Sequence, residues 1–118
     1  MKIFQKGFEL PKLEYYKTHL RIINALFPVN ITDKEIEILA SFLSLSPEIT
    51  KNNMFNSFAR KQIIESLSLT NGGMSNHIKN MKNKGFIKRT DDSLFIVPAL
   101  LPDPLCQGYN LKIKIKDE

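Results

Sequence analysis

The sequence predicts a mainly α fold closed by a small β-hairpin, an α+β class, on three observations. Apolar residues recur at helical spacing through most of the first 84 positions, and Gly85 then breaks that period. Two short extended runs follow, arranged around a polar tetrad. The 118 residues, 42% hydrophobic and 25% charged, hold enough apolar material for one core and are too few for a multidomain enzyme. The chain is expected to divide into an N-terminal arm and helix over residues 1–30, a central domain over 31–98, and a C-terminal extension with a strand over 99–118.

Each element has a local reason. From Pro11 to Phe27, Leu13, Tyr16, Leu20, Ile23 and Phe27 recur at spacings of 3, 4, 3 and 4, one face of a helix, which Pro28 and Asn30 should end. A second helix opens at Thr32, because Thr32 and Glu35 have the spacing of a capping box. Its buried face is Ile36, Leu39, Ala40 and Leu43. Ser46 to Asn53 carries Pro47 and paired asparagines and reads as a connection into a short helical turn at Phe55–Ala59. A short helix follows from Arg60 to Leu67, then a turn at Ser68–Asn71 and a longer helix from near Gly72 to the glycine stop at Gly85. Phe86–Arg89 and Leu94–Val97 pair as a hairpin around Thr90-Asp91-Asp92-Ser93. Pro98, Pro102 and Pro104 make the next segment irregular. Tyr109–Lys116 alternates Leu111, Ile113 and Ile115 with lysines, a half-buried strand whose lysines protect a solvated edge.

A net charge of +5 points to an anionic partner. Residues 1–59 carry +1, residues 60–90 carry seven basic and one acidic group, and residues 91–118 carry −2, so the excess is concentrated in the middle segment. The single cysteine, Cys106, cannot form an intrachain disulfide and builds no Cys-rich metal site, so a cytoplasmic location is expected. Residues 1–11 have no apolar stretch of the signal-peptide kind, and nothing approaches the roughly 20 apolar residues of a membrane span.

The informative stretch is Arg60–Val97. With successive residues turned by roughly 100°, Met74, Ile78 and Met81 share one side, while Asn76, Lys79 and Asn83 lie nearly opposite and Ser75 and Asn80 flank them. Ile63, Ile64 and Leu67 supply a complementary patch, and Leu69 plugs the angle between the two helices. Two helices joined by a short turn, the second with a basic, amide-rich outer face, are the parts of a helix-turn-helix.

The run Gln62-Ile63-Ile64-Glu65, Leu67, Leu69, Thr70, Met74-Ser75-Asn76-His77-Ile78, Met81 and Lys84-Gly85-Phe86-Ile87-Lys88-Arg89 resembles the winged helix-turn-helix of MarR-type bacterial or phage regulators. The resemblance covers about Thr32 to Val97. It implies a winged-helix domain in which the helix ending at Gly85 enters the major groove of double-stranded DNA and the hairpin is the wing. On that resemblance Asn71, Ser75, Asn76 and Lys79 would read base edges. Arg60, Lys61, Lys82, Lys84, Lys88 and Arg89 would hold phosphates, which fix register without carrying sequence. Gly72 and Gly73 are poor helix formers, so this helix is expected to start late, at Gly73 or Met74. The acidic tip, Asp91 and Asp92, is expected to repel phosphates and to keep the wing from gripping the backbone as longer basic wings do. MarR-type proteins dimerise through long terminal helices. Here only Leu13–Phe27 is at hand for a homodimer, and packing of that stripe against the domain is preferred.

The function expected is therefore that of a small transcriptional regulator binding double-stranded DNA sequence-specifically, without cofactor or metal. His77 is read as a boundary residue, Met74 and Met81 as core filler, and His19 and Cys106 as structural. There is no phosphate-cradling glycine loop, carboxylate pair or nucleophile with a spaced base, so an enzyme is not expected. The alternative is a winged-helix protein-interaction module in a replication or viral assembly complex, with the C-terminal strand as a docking edge.

Overall fold

In the computed structural model, which describes residues 10–26 and 29–102, the chain forms five α-helices and one two-stranded antiparallel hairpin. The first helix, α1 (Lys12–Leu26), packs on α2 (Asp33–Leu43). Leu20 is fully buried between them, with Leu13, Tyr16 and Ile23 packed around the core. Asn30 takes a left-handed backbone (φ 64°) in the link between the two helices. The side chain of Asn24 brackets Ile31 there, accepting from its N–H at 3.0 Å and donating to its carbonyl at 3.1 Å. Phe27 and Pro28, Cys106, Pro104, the strand expected at Tyr109–Lys116 and residues 1–9 lie outside the described residues.

The capping box of α2 is formed as the spacing predicts. Glu35 N–H donates to Thr32 Oγ1 at 3.2 Å, and Thr32 N–H donates to Glu35 Oε1 at 2.9 Å. From this start α2 buries Ile36, Ile38, Leu39, Ala40 and Phe42, more of its circumference than one amphipathic stripe, because α1 and α4 cover it from different sides. Phe42 meets Phe55 with ring centroids 4.6 Å apart.

The segment after α2 differs from the sequence expectation. Pro47 starts a one-turn helix, α3 (Pro47–Thr50), inside the expected connection. The expected turn at Phe55–Ala59 and short helix from Arg60 are one continuous helix, α4 (Ser57–Leu67). Asn56 starts it, its Oδ1 accepting from Ala59 N–H at 2.9 Å while its Nδ2 donates to the carbonyls of Ile49 and Asn53. The last helix, α5 (Asn71–Asn83), also starts earlier than expected. Thr70 Oγ1 accepts from Gly73 N–H at 2.9 Å, so both glycines fall in a capped first turn, where the cap offsets their conformational cost.

Gly85 has φ 84° and ends α5 as expected, with Phe86 N–H donating to Met81 O at 2.9 Å and Gly85 N–H to Lys82 O at 3.0 Å. The chain then enters the hairpin β1 (Ile87–Arg89) and β2 (Leu94–Ile96), with Ile87 opposite Ile96 and Arg89 opposite Leu94. Thr90 and Ser93 close the turn, N–H to carbonyl at 2.8 Å. The proline-bearing segment beyond is not wholly irregular: Pro98–Leu100 is a 3-10 turn whose Leu100 is buried. Its carbonyl accepts from His19 Nε2–H at 3.1 Å, tying this turn to α1.

A Cβ on Gly72 meets nothing within 4 Å, whereas one on Gly73 would lie 3.0 Å from the capping Thr70 Oγ1. Gly72→Ala should therefore stabilise the fold by about 0.5 kcal/mol. Gly73→Ala should give no gain, because the displaced cap costs about 1 kcal/mol; urea midpoints of the two variants measure the difference. Burial lowers the folded-state pKa of His19 below the ordinary 6.5, against the opposing pull of the Leu100 carbonyl. A depressed folded value means that the neutral ring's contribution is complete above the ordinary value and is lost as pH falls through the folded one. The urea midpoint should drop between pH 7.5 and pH 5 by more in the native chain than in His19→Gln, which cannot titrate; equal drops would show that another group governs this range.

Candidate nucleic-acid interface

The two helices that carry most of the candidate residues meet at a turn built from Ser68, Leu69 and Thr70. Ser68 is left-handed (φ 56°), and Leu69 N–H reaches back to Ile64 O at 2.9 Å, which folds the chain sharply enough to lay α5 across α4. Leu69 packs on the core at that corner. On α5, Met74, Ile78 and Met81 are buried, so helix periodicity decides the direction of every other side chain. Asn76, Lys79, Asn80 and Asn83 are exposed on the face opposite the core.

The four candidate base readers fall into two groups. Asn76 and Lys79 point outward, while Asn71 and Ser75 line a depression between α5 and the first turns of α4, shared with Ser57, Arg60 and Lys61. A second depression, of about 310 Å³, lies between α4, α5 and the hairpin, and Arg60, Lys82 and Arg89 line it from those three elements, with Asp92 and Asn53 on its wall. Arg60 borders both, so the two depressions adjoin at its side chain, and their basic residues together make a basic track. Its Nε–H donates to Phe55 O at 2.8 Å, which fixes the guanidinium plane. Asn53 places the hairpin beside it, since Asn53 Oδ1 accepts from Phe55 N–H and from Leu94 N–H, both at 3.2 Å.

Two of the expected phosphate contacts are placed elsewhere. Lys84 Nζ lies 2.8 Å from Glu35 Oε1 and 3.1 Å from Asn30 O, so it is engaged by the protein's own buried carboxylate and not by the basic track. Burial would raise the Glu35 pKa. The Lys84 bond and charge, with the Thr32 N–H bond, outweigh that and hold it below the ordinary 4.5. Lys88 is exposed, but β-strand alternation turns it to the face of the hairpin opposite that of Ile87 and Arg89, away from the depression.

The other cations are uncompensated. Among the described residues the ion pairs are Lys17–Glu14, Lys34–Glu37 and Lys84–Glu35. Arg60, Lys61, Lys79, Lys82, Lys88 and Arg89 take part in none of them, which leaves the segment of highest positive charge unpaired on the surface. His77 is half-buried at the margin of α5, beside Glu35 and Lys84. Asp92, Ser93 and Ser57 were not singled out in the sequence as lining residues, because nothing local shows that they face this track. Among the described residues no group of three His, Cys, Asp or Glu side chains is placed to hold a metal ion, and no helix is long and apolar enough to cross a membrane.

The sequence matches no known protein family, and no characterised protein or solved structure is detectably similar to it.

Removing the cation from the Glu35–Lys84 pair leaves a buried carboxylate with a single N–H partner. Lys84→Met should lower stability by about 1–3 kcal/mol in chemical denaturation. Glu35→Gln combined with Lys84→Met should cost less than the sum of the two single changes, because the pair is coupled; strict additivity would show that it is not.

Proposed function

We propose that this chain binds double-stranded DNA sequence-specifically through a winged helix-turn-helix, as a small transcriptional regulator. In this reading α2, α4 and α5 are the three-helix core, α5 is the recognition helix and β1–β2 is the wing. The observation that carries it is the unpaired basic track, in which Arg60, Lys82 and Arg89 converge from α4, α5 and the hairpin and Lys61 lines the adjoining depression with Arg60. Unpaired cations brought together by separate rigid elements fit a polyanion. Beside them, the outer face of α5 presents Asn76 and Lys79 for base edges, with Asn71 and Ser75 where the helix start meets α4. Asp92 sits against the same cluster and weakens its attraction for a phosphate without abolishing the excess of positive charge.

A second reading, a winged-helix protein-interaction module in a replication or viral assembly complex, draws on Phe58. This ring is 59% exposed on α4, and exposed aromatics suit protein contacts. The C-terminal strand that also suggested it lies outside the described residues.

Binding to a random-sequence duplex across a salt series separates the two. Neutralisation of about four phosphates by Arg60, Lys61, Lys82 and Arg89 should give a log–log salt slope of about −3 to −4. Lys82→Ala and Arg89→Ala should each weaken every sequence alike and flatten that slope by about one. No binding at low salt sinks the regulator and leaves the interaction module.

A further inference from the structure

Asparagine serves two different ends in this structure. Asn24, Asn30, Asn53 and Asn56 shape the backbone: Asn24 brackets Ile31, Asn30 is left-handed, Asn53 ties the hairpin to the loop before α4, and Asn56 caps α4. Asn71, Asn76, Asn80 and Asn83, four of the ten in the chain, fall within the thirteen residues of α5. All four are exposed, and none has a side-chain hydrogen bond within the described residues. Asparagine weakens a helix interior because its amide competes with the backbone ladder. Asn76 and Asn80 stand in the interior of α5, where each weakens the helix and receives no internal bond in return.

Three of these amides form a row. Asn76, Asn80 and Asn83 lie at i, i+4 and i+7 on the side of the helix away from the buried Met74, Ile78 and Met81, with Asn76 and Asn83 nearly opposite them, Asn80 at the flank, and Asn80 and Asn83 also bordering the depression beside Glu35 and Lys84. The row runs about 10 Å along the helix, about the length of three stacked base pairs. Asn71 faces α4 and is not part of it. A carboxamide offers one acceptor beside one donor, the pattern that matches the N7 acceptor and N6 donor of adenine in the major groove. Guanine presents two acceptors there and suits arginine or lysine; α5 contains no arginine, Lys79 stands beside the row, and Lys84, next to Asn80 and Asn83, is engaged by Glu35.

We infer that the outer face of α5 reads A·T-rich sequence through the major-groove edges of adenines, with Asn76, Asn80 and Asn83 as the reading row. This rests on the DNA-binding reading and names its target class. Lys79 supplies charge next to the row, and the basic track holds the flanking phosphates.

The test uses the full chain at one fixed salt concentration with three duplexes of equal length: one of A·T pairs only, one of G·C pairs only, and the A·T duplex carrying 7-deazaadenine, which lacks N7 and keeps its minor groove. The A·T duplex should bind at least about tenfold tighter than the G·C duplex, and most of that preference should vanish with 7-deazaadenine. The combined variant Asn76→Ala, Asn80→Ala, Asn83→Ala should lose the preference. Alanine is the better helix former, so the variant retains α5, which circular dichroism verifies. Measurable but equal binding to both duplexes, or a preference that survives either 7-deazaadenine or the triple substitution, overturns this inference and leaves DNA binding standing. No binding to either duplex at low salt overturns both.

Discussion

A carboxylate in the interior constrains the geometry of this protein more than any other single group. Glu35 is 3% exposed, and an ionised group so placed must be met by donors. Its Oε1 is met twice, by Thr32 N–H at 2.9 Å and by Lys84 Nζ at 2.8 Å, so one oxygen joins the first turn of α2 to the residue that follows α5. Lys84 also donates to Asn30 O, in the link before α2. The C-terminal end of α5 is thereby pinned to the start of α2, while its first turn rests against α4 and its far face is left to solvent. A rotation of α5 by one residue, about 100°, would pull Met74, Ile78 and Met81 out of the core together and would break the pair.

A chain of side-chain to backbone bonds performs the corresponding task for the basic track. Asn53 accepts from the hairpin at Leu94, Asn56 donates to the Asn53 carbonyl and caps α4, and Arg60 one turn later donates to Phe55 O. These bonds hold three like charges, Arg60, Lys82 and Arg89, near one another without a pairing anion apart from the neighbouring Asp92. Convergence of like charges costs electrostatic energy, least where water still screens them, and an external anion relieves it. Asn53 and Asn56, before α4, spend their amides on the backbone, whereas Asn76, Asn80 and Asn83 of α5 are exposed and make no such bond.

Much of the fold was legible in the residues because the signals were local. The Thr32–Glu35 box, the phase of Met74, Ile78 and Met81, the Gly85 stop and the turn from Thr90 to Ser93 each act within about one turn of chain. The failures were also local, where two signals competed. Asn52 and Asn53 read as loop and masked the capping role of Asn56, so α4 looked shorter than it is. Gly72 and Gly73 read as poor helix formers and put the expected start late, whereas in the fold the Thr70 cap prevails and α5 begins at Asn71.

The residue order alone determined where the main helices run, which face of α5 is apolar, and that the positive charge gathers between residues 60 and 90, since propensity, periodicity and composition are properties of neighbouring residues. The tertiary structure decided which of those charges remain available. Lys84 and Lys82 are two residues apart and look alike in sequence, yet one is consumed by Glu35, 49 residues away, and the other lines the track with Arg60 and Arg89. Lys88 and Arg89 are adjacent and are sent to opposite faces by strand alternation. Pairing and direction depend on where distant elements pack, and only the closed core sets those distances.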